Sequence, residues 1–326
     1  AGVPGMLLLQ NSTLVTATNA VGLQTGSVAG GLGAIYVSGT SSLTLNNAQL
    51  LIGGGGNTAN YGFYQQTSGT LSVITGGLSR FRVGQYGGTG AVYATGGLIS
   101  TTQAVDVNSD AAGNTEGRGV VYLTGSAQFN GTSMNLSSNT VGGNGLASFT
   151  VSGTGVIATL TGAVAIGSTG GNGYLNLNNG TLQTTGVAGN AALKGYANFD
   201  GATLRAAAAS TTFVQNLNAA TIYGGGLTLD TQGFAVTVPQ ALLAASGSGV
   251  TTIPVTSGGS NYTNLTVSAT GGGGTGVVLG TPVLTANVAT GGLTKTGTGS
   301  LTLTGNSTYQ GATTVSYTHL TLPTKA

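Results

Sequence analysis

The feature that most constrains this chain is a recurring frame: a glycine opens a short alternating stretch, a second glycine closes it, and an apolar residue follows. It reads GAIYVSGTSSL from Gly33, GFYQQTSGTL from Gly62, GAVYATGGL from Gly90 and GVVYLTGSAQF from Gly119. It continues as GLASFTVSGTGV from Gly145, GYLNLNNGTL from Gly173 and GYANFDGATL from Gly195. The frame starts lie 29, 28, 29, 26, 28 and 22 residues apart, a period of roughly 28. Self-similarity at that period is a mark of repeat architectures, in which each unit buries its apolar face only against its neighbours.

Inside each period the apolar residues alternate. Val92 and Ala94 fall on one side of GAVYATGGL, with Ala91, Tyr93 and Thr95 on the other. Leu175 and Leu177 oppose Asn176 and Asn178 in the same way. A period of two means strand and not helix. A further strand precedes several frames: FRVGQ from Phe81, VDVN from Val105, MNLSS from Met134 and VAIGS from Val164. Glycine-rich turns such as QYGGTG and STGGNG link the two, because glycine accepts positive φ and asparagine tolerates it. The best helical candidate, residues 206–209, is short and runs into β-branched Thr211 and Thr212. The pattern predicts an all-β fold, a right-handed parallel β-helix (β-solenoid) with about 28 residues per coil and Asn or Thr at its turns. An immunoglobulin-like sandwich is the rival. Its strands need not resemble one another, so the recurrence favours the solenoid.

Composition narrows the function. The 326 residues hold five acids, seven Lys or Arg, one His and no Cys. A net charge of +2 is too small to draw nucleic acid or an anionic membrane, so no nucleic-acid partner is expected. Without cysteine there are no disulfides and no thiolate metal sites. No apolar run is long enough for a transmembrane segment. The single His319 lies in a tail, SYTHLTLPTKA, that breaks the composition and resembles translated sequencing-adapter sequence. This reading divides the chain into an N-terminal coil or cap at 1–32, β-helix repeats at 33–246, an irregular β-rich insert at 247–290, a distinct repeat at 291–315 and a non-native tail at 316–326. It also expects an open last coil, a poorly ordered tail and end-to-end association of copies.

Candidate sites are few. DVNSDAAGNTEG gathers Asp106, Asn108, Asp110 and Glu116. The Asp-x-Asn-x-Asp opening is the oxygen spacing of a calcium loop. Ala111 stands where such loops turn on glycine, and Glu116 falls one place short of the bidentate position. A solvated loop between coils is the plainer reading, and no cofactor is expected beyond that weak calcium candidate. Asp200 and Asp230, about one coil apart by frame count, are candidates for two acids stacked on one outer face. Tyrosines recur at one or two per period. Tyr93 and Tyr122 are candidates for stacking on a sugar, though ring-on-ring stacking along the solenoid is the commoner use.

The segment LTKTGTGSLTLTG from Leu293, followed by NSTYQGATTV from Asn306, resembles the autotransporter-associated β-strand repeat, also called the passenger-associated transport repeat. The resemblance implies a parallel β-helix passenger, secreted or held on the outer cell surface of a bacterium, with no catalytic residues. The expected function is a non-catalytic stalk or scaffold. An adhesin for glycans or a host surface is the alternative, and a polysaccharide-degrading β-helix enzyme comes third. Expected partners are surface glycans or other copies of the chain.

Overall fold

The computed structural model describes residues 5–16, 22–26, 30–54, 60–74, 80–109, 117–137, 145–167, 171–190, 194–246, 248–252, 255–258, 277–279, 283–286, 290–316 and 320–321. Among them there is no helix. The strands form a parallel β-solenoid of roughly 28 residues per coil.

Each circuit places one strand on each of three faces. Leu32–Ser38, Ser42–Asn46 and Leu50–Ile52 make one circuit, and Tyr61–Gln66, Thr70–Ile74 and Phe81–Gln85 make the next. The first strands build a ten-stranded sheet A, the second an 11-stranded sheet B, and the third an eight-stranded sheet C. Neighbouring strands in all three are parallel, which disposes of the sandwich. The closing glycine of each frame is a corner, and the apolar residue after it lies in the strand on sheet B, or, for Val156, immediately before it. Gly97, for example, has φ 77° and leads into Leu98–Thr101. The frame therefore spans two faces, and the strands from Phe81, Val105, Met134 and Val164 are the third.

The register departs from the frame at one coil. Gly33, Gly62, Gly90 and Gly119 pair in turn, but Gly119 pairs with Ala147 and not with Gly145. A two-residue offset leaves every side chain on its own face, so alternation cannot reveal it. Coil length also falls along the chain. Ser72 and Ser100 touch across 28 residues, while Asn176 and Asn198 touch across 22.

Corners follow from backbone sterics. The turn after sheet C carries Gly26, Gly53, Gly84, Asn108, Ser137 and Gly167, all at φ between 53° and 75°. Of the non-glycine residues at positive φ, Asn11, Asn47, Asn108, Asn179 and Asn216 are asparagine and none is threonine. The expected asparagines are there. Threonine also sits at turns, as at Thr40 and Thr154, but not at positive φ, because a branched Cβ is strained in the left-handed region.

The interior is lined by apolar columns from all three sheets. Sheet B contributes Leu43, Leu71, Ile99, Phe129, Ala158, Leu182, Leu204 and Leu229, each stacked on the next. Sheet C contributes Leu50, Phe81, Val105, Met134, Val164, Val187 and Val214. These side chains are almost wholly buried, and each large one supplies roughly 1.5–3 kcal/mol by leaving water.

Beyond Leu242–Ala244 the path leaves the three sheets. Ser248–Thr252 pairs antiparallel with Val283–Ala286, and Val255–Gly258 with Val277–Leu279. Sheet B then resumes: Leu227–Asp230 takes Leu293–Thr296 as its parallel neighbour. Leu301–Leu303 continues the third face on Val236–Val238. Thr308 and Tyr309 donate backbone N–H groups to the Leu242 carbonyl at 2.6 and 3.2 Å, and Thr313–Val315 closes the circuit on Leu293, Thr294 and Lys295. In the tail, Leu320 and Thr321 lie beside Leu301 and Thr302. Composition gave those two residues no place in the repeat, but an open ladder accepts a short extended pair. The other tail residues, Ser316 apart, lie outside the described residues.

Candidate functional site

Of the four candidate calcium ligands, Asp110 and Glu116 lie outside the described residues. The other two face different ways. Asp106 points outward from Val105–Ser109 on sheet C, between Arg82 of the preceding coil and Asn135 of the next. Its Oδ1 accepts a hydrogen bond from the Asn135 amide at 2.8 Å, and its Oδ2 lies 3.8 Å from Arg82 Nε. Burial lowers the Arg82 pKa, and the nearby Arg80 adds to this; Asp106 and Tyr86 oppose both. Asp106 is thus a rung in a cross-strand ladder.

Asn108 is fully buried, at φ 53°. That left-handed residue breaks the alternation and turns the amide into the corner. Its nitrogen donates to the Gly117 carbonyl at 3.0 Å, and its oxygen accepts from the Leu146 N–H at 3.3 Å. The residue joins its own coil to the next by satisfying backbone groups that the turn exposes.

The two stacked-acid candidates are on different faces. Asp200 ends the sheet A strand Gly195–Asp200 and accepts a hydrogen bond from the Gly225 N–H at 2.7 Å. Asp230 ends the sheet B strand Leu227–Asp230, bound by Arg205 Nε at 2.9 Å and by the Gln232 side-chain amide at 2.6 Å. The frame count placed them together on a 28-residue coil, but the coils here are shorter. Burial alone would raise the Asp230 pKa; hydrogen bonds from Gln232 and Arg205 outweigh it and hold the carboxyl below its ordinary value.

The tyrosines gather on the outer face of sheet A. Tyr93 and Tyr122 stack with centroids 5.6 Å apart and 26° between planes, and Tyr174 and Tyr196 stack at 5.0 Å and 10°. Tyr36 meets Phe63 edge-on at 6.0 Å. Tyr64 instead points inward, where burial pushes its phenol pKa up and its hydroxyl donates to Gln66 Oε1 at 2.6 Å. A groove of about 450 Å³ runs between Phe63, Tyr93 and Tyr122, and one of about 330 Å³ lies between Met6, Leu32, Tyr61 and Phe63. In the row holding Tyr93 and Tyr122 the strip continues as Thr150, Asn176 and Asn198, where the Asn198 amide donates to Asn176 Oδ1 at 2.8 Å. No member of that row carries a charge.

Sequence reading missed Lys295. It stands on the interior column of sheet B, on Leu229 and under Val315, and is fully buried. Its ammonium donates to the Gly297 carbonyl. Strict alternation in LTKT, with Leu293 inward, was the signal that places it inside.

No helix among the described residues is long and apolar enough to cross a membrane. Residues 293–316 match the family model of the passenger-associated transport repeat. No match was found among curated proteins or among solved structures. The matched residues make one full circuit of the solenoid, and repeat and fold together fit an autotransporter passenger repeat protein.

Proposed function

We propose that this protein is a non-catalytic, extracellular or cell-surface β-solenoid, a stalk or scaffold of the bacterial passenger type. The observation that carries the reading is the continuity of the ladder: the matched repeat stacks on Leu227–Asp230 in the same parallel register as the coils before it. Among the described acids, Asp106, Asp200 and Asp230 are each engaged by a neighbouring coil and lie apart. That supports a load-bearing use of charge over acid–base catalysis, which in glycoside hydrolysis needs two carboxyls facing one bond. The role needs no cofactor. The test is release of reducing ends from a panel of polysaccharides by the purified protein. None is expected, and turnover on any of them would overturn the reading. Protease accessibility on intact cells of the source bacterium tests the location, with cleavage from outside expected.

A second reading, glycan adhesion, is favoured by one observation: the uncharged strip of rings, hydroxyls and amides on sheet A. Tyr93 and Tyr122 hide a face of each ring against the other, so a sugar would meet their outer faces and edges. Binding on a glycan array that weakens about tenfold or more in Tyr122→Ala, in line with the loss of a stacking anchor, would support adhesion. An array with no bound glycan would remove it.

A further inference from the structure

Lys295 is the one charged side chain among the buried described residues. Every column position below it on sheet B, from Leu43 to Leu229, is apolar. Taking an ammonium out of water is expensive, and a single carbonyl repays little of it. Burial lowers the pKa of the group from its usual 10.5, and the Asp230 carboxylate, the nearby opposite charge, works against that. The coil that carries this lysine is also joined to its neighbour unlike the rest. In other coils a short corner carries the chain from sheet A to sheet B, as from Leu32–Ser38 to Ser42–Asn46, but here it passes from Leu242–Ala244 to Leu293–Thr296 only after the antiparallel pairs at 248–286.

We propose that residues 293–316 form a separately opening coil of the solenoid, held closed weakly because Lys295 is sealed into its interior as a charge. Opening would uncover Leu227–Asp230 as a free ladder while the coils before it stay intact. Repeat proteins allow this, since each unit depends only on its neighbours. The inference does not rest on the scaffold reading.

Three backbone amides report it in the full chain by hydrogen exchange. The Leu227 N–H donates to the Gly292 carbonyl at 2.7 Å and the Thr304 N–H to Val238 at 3.0 Å, so both are freed when the coil opens. The Thr203 N–H, bonded to Gly180 at 2.9 Å, is the internal reference. After correction for intrinsic rates, Leu227 and Thr304 should exchange at least about tenfold faster than Thr203. Lys295→Met should slow both by about tenfold or more, since apolar replacement of a buried charge stabilises, and should leave Thr203 unchanged. Lys295→Arg, which keeps the charge, should not slow them. Equal protection of all three amides in the parent would overturn the proposal. So would an unchanged rate in Lys295→Met, or slowing by Lys295→Arg as strong as that by Lys295→Met.

Discussion

At Gly90 a Cβ would lie 2.0 Å from the Ile52 carbonyl oxygen and 2.5 Å from the Gly84 nitrogen. Both are backbone atoms of the preceding corners and cannot swing aside. Gly90→Ala should therefore lower stability by about 2 kcal/mol or more, read from the denaturant midpoint. Ala147, in the same column, shows that one coil has room for a methyl group, so Ala147→Gly should cost only about 1 kcal/mol or less. Asp230 carries a pH dependence of known sign. Its folded pKa lies below the ordinary 3.8, so its contribution is present above that value and is lost as pH falls through the lower folded one. Asp230→Asn should remove up to about 1 kcal/mol at neutral pH and flatten the acid limb of the stability curve. The leading glycines were legible as a repeat because their spacing is written in the chain. The role of Asn108 was not, because the spacing of Asp106, Asn108 and Asp110 suggests one shared face and a single left-handed residue cancels it.

At the scale of strands, alternation gave the inward and outward sides correctly: Val92, Ala94, Leu175 and Leu177 are buried, and Tyr93, Asn176 and Asn178 are not. It could not give the register at Ala147, nor show that the residue after the second glycine belongs to another sheet, since both depend on where corners fall. Cross-strand pairs add to the columns. Tyr174 and Tyr196 are nearly parallel in their stack, so Tyr174→Ala should cost roughly 1 kcal/mol beyond its lost area, with a double substitution at Tyr196 showing the coupling. Inside, Phe129 and Phe149 meet with centroids 6.2 Å apart, in a coil where Ala158 supplies the small partner on sheet B. Phe129→Ala should cost about 3–5 kcal/mol, because rigid backbone ladders on both sides keep the space from closing.

Across the whole molecule, contacts run between adjacent coils, so damage should stay local. Phe81→Ala should speed amide exchange in Phe81–Gln85 and its neighbouring strands while the sheet B strand Ala202–Ala206 keeps its protection. Uniform loss along the chain would instead mean one cooperative unit. The same logic bears on the departure between Leu242–Ala244 and Leu293–Thr296. The strands on either side of it already have their partners, Ala220–Ile222 for the first and Leu227–Asp230 for the second. Neither needs the intervening sequence to find its place. Replacing residues 247–289 by a short glycine–serine link should leave the Leu227 amide at least as protected in the trimmed chain as it is in the parent. That corner is then a splice point, a socket into which evolution or a protein engineer can fit a cassette of almost any length, provided its two ends return close together.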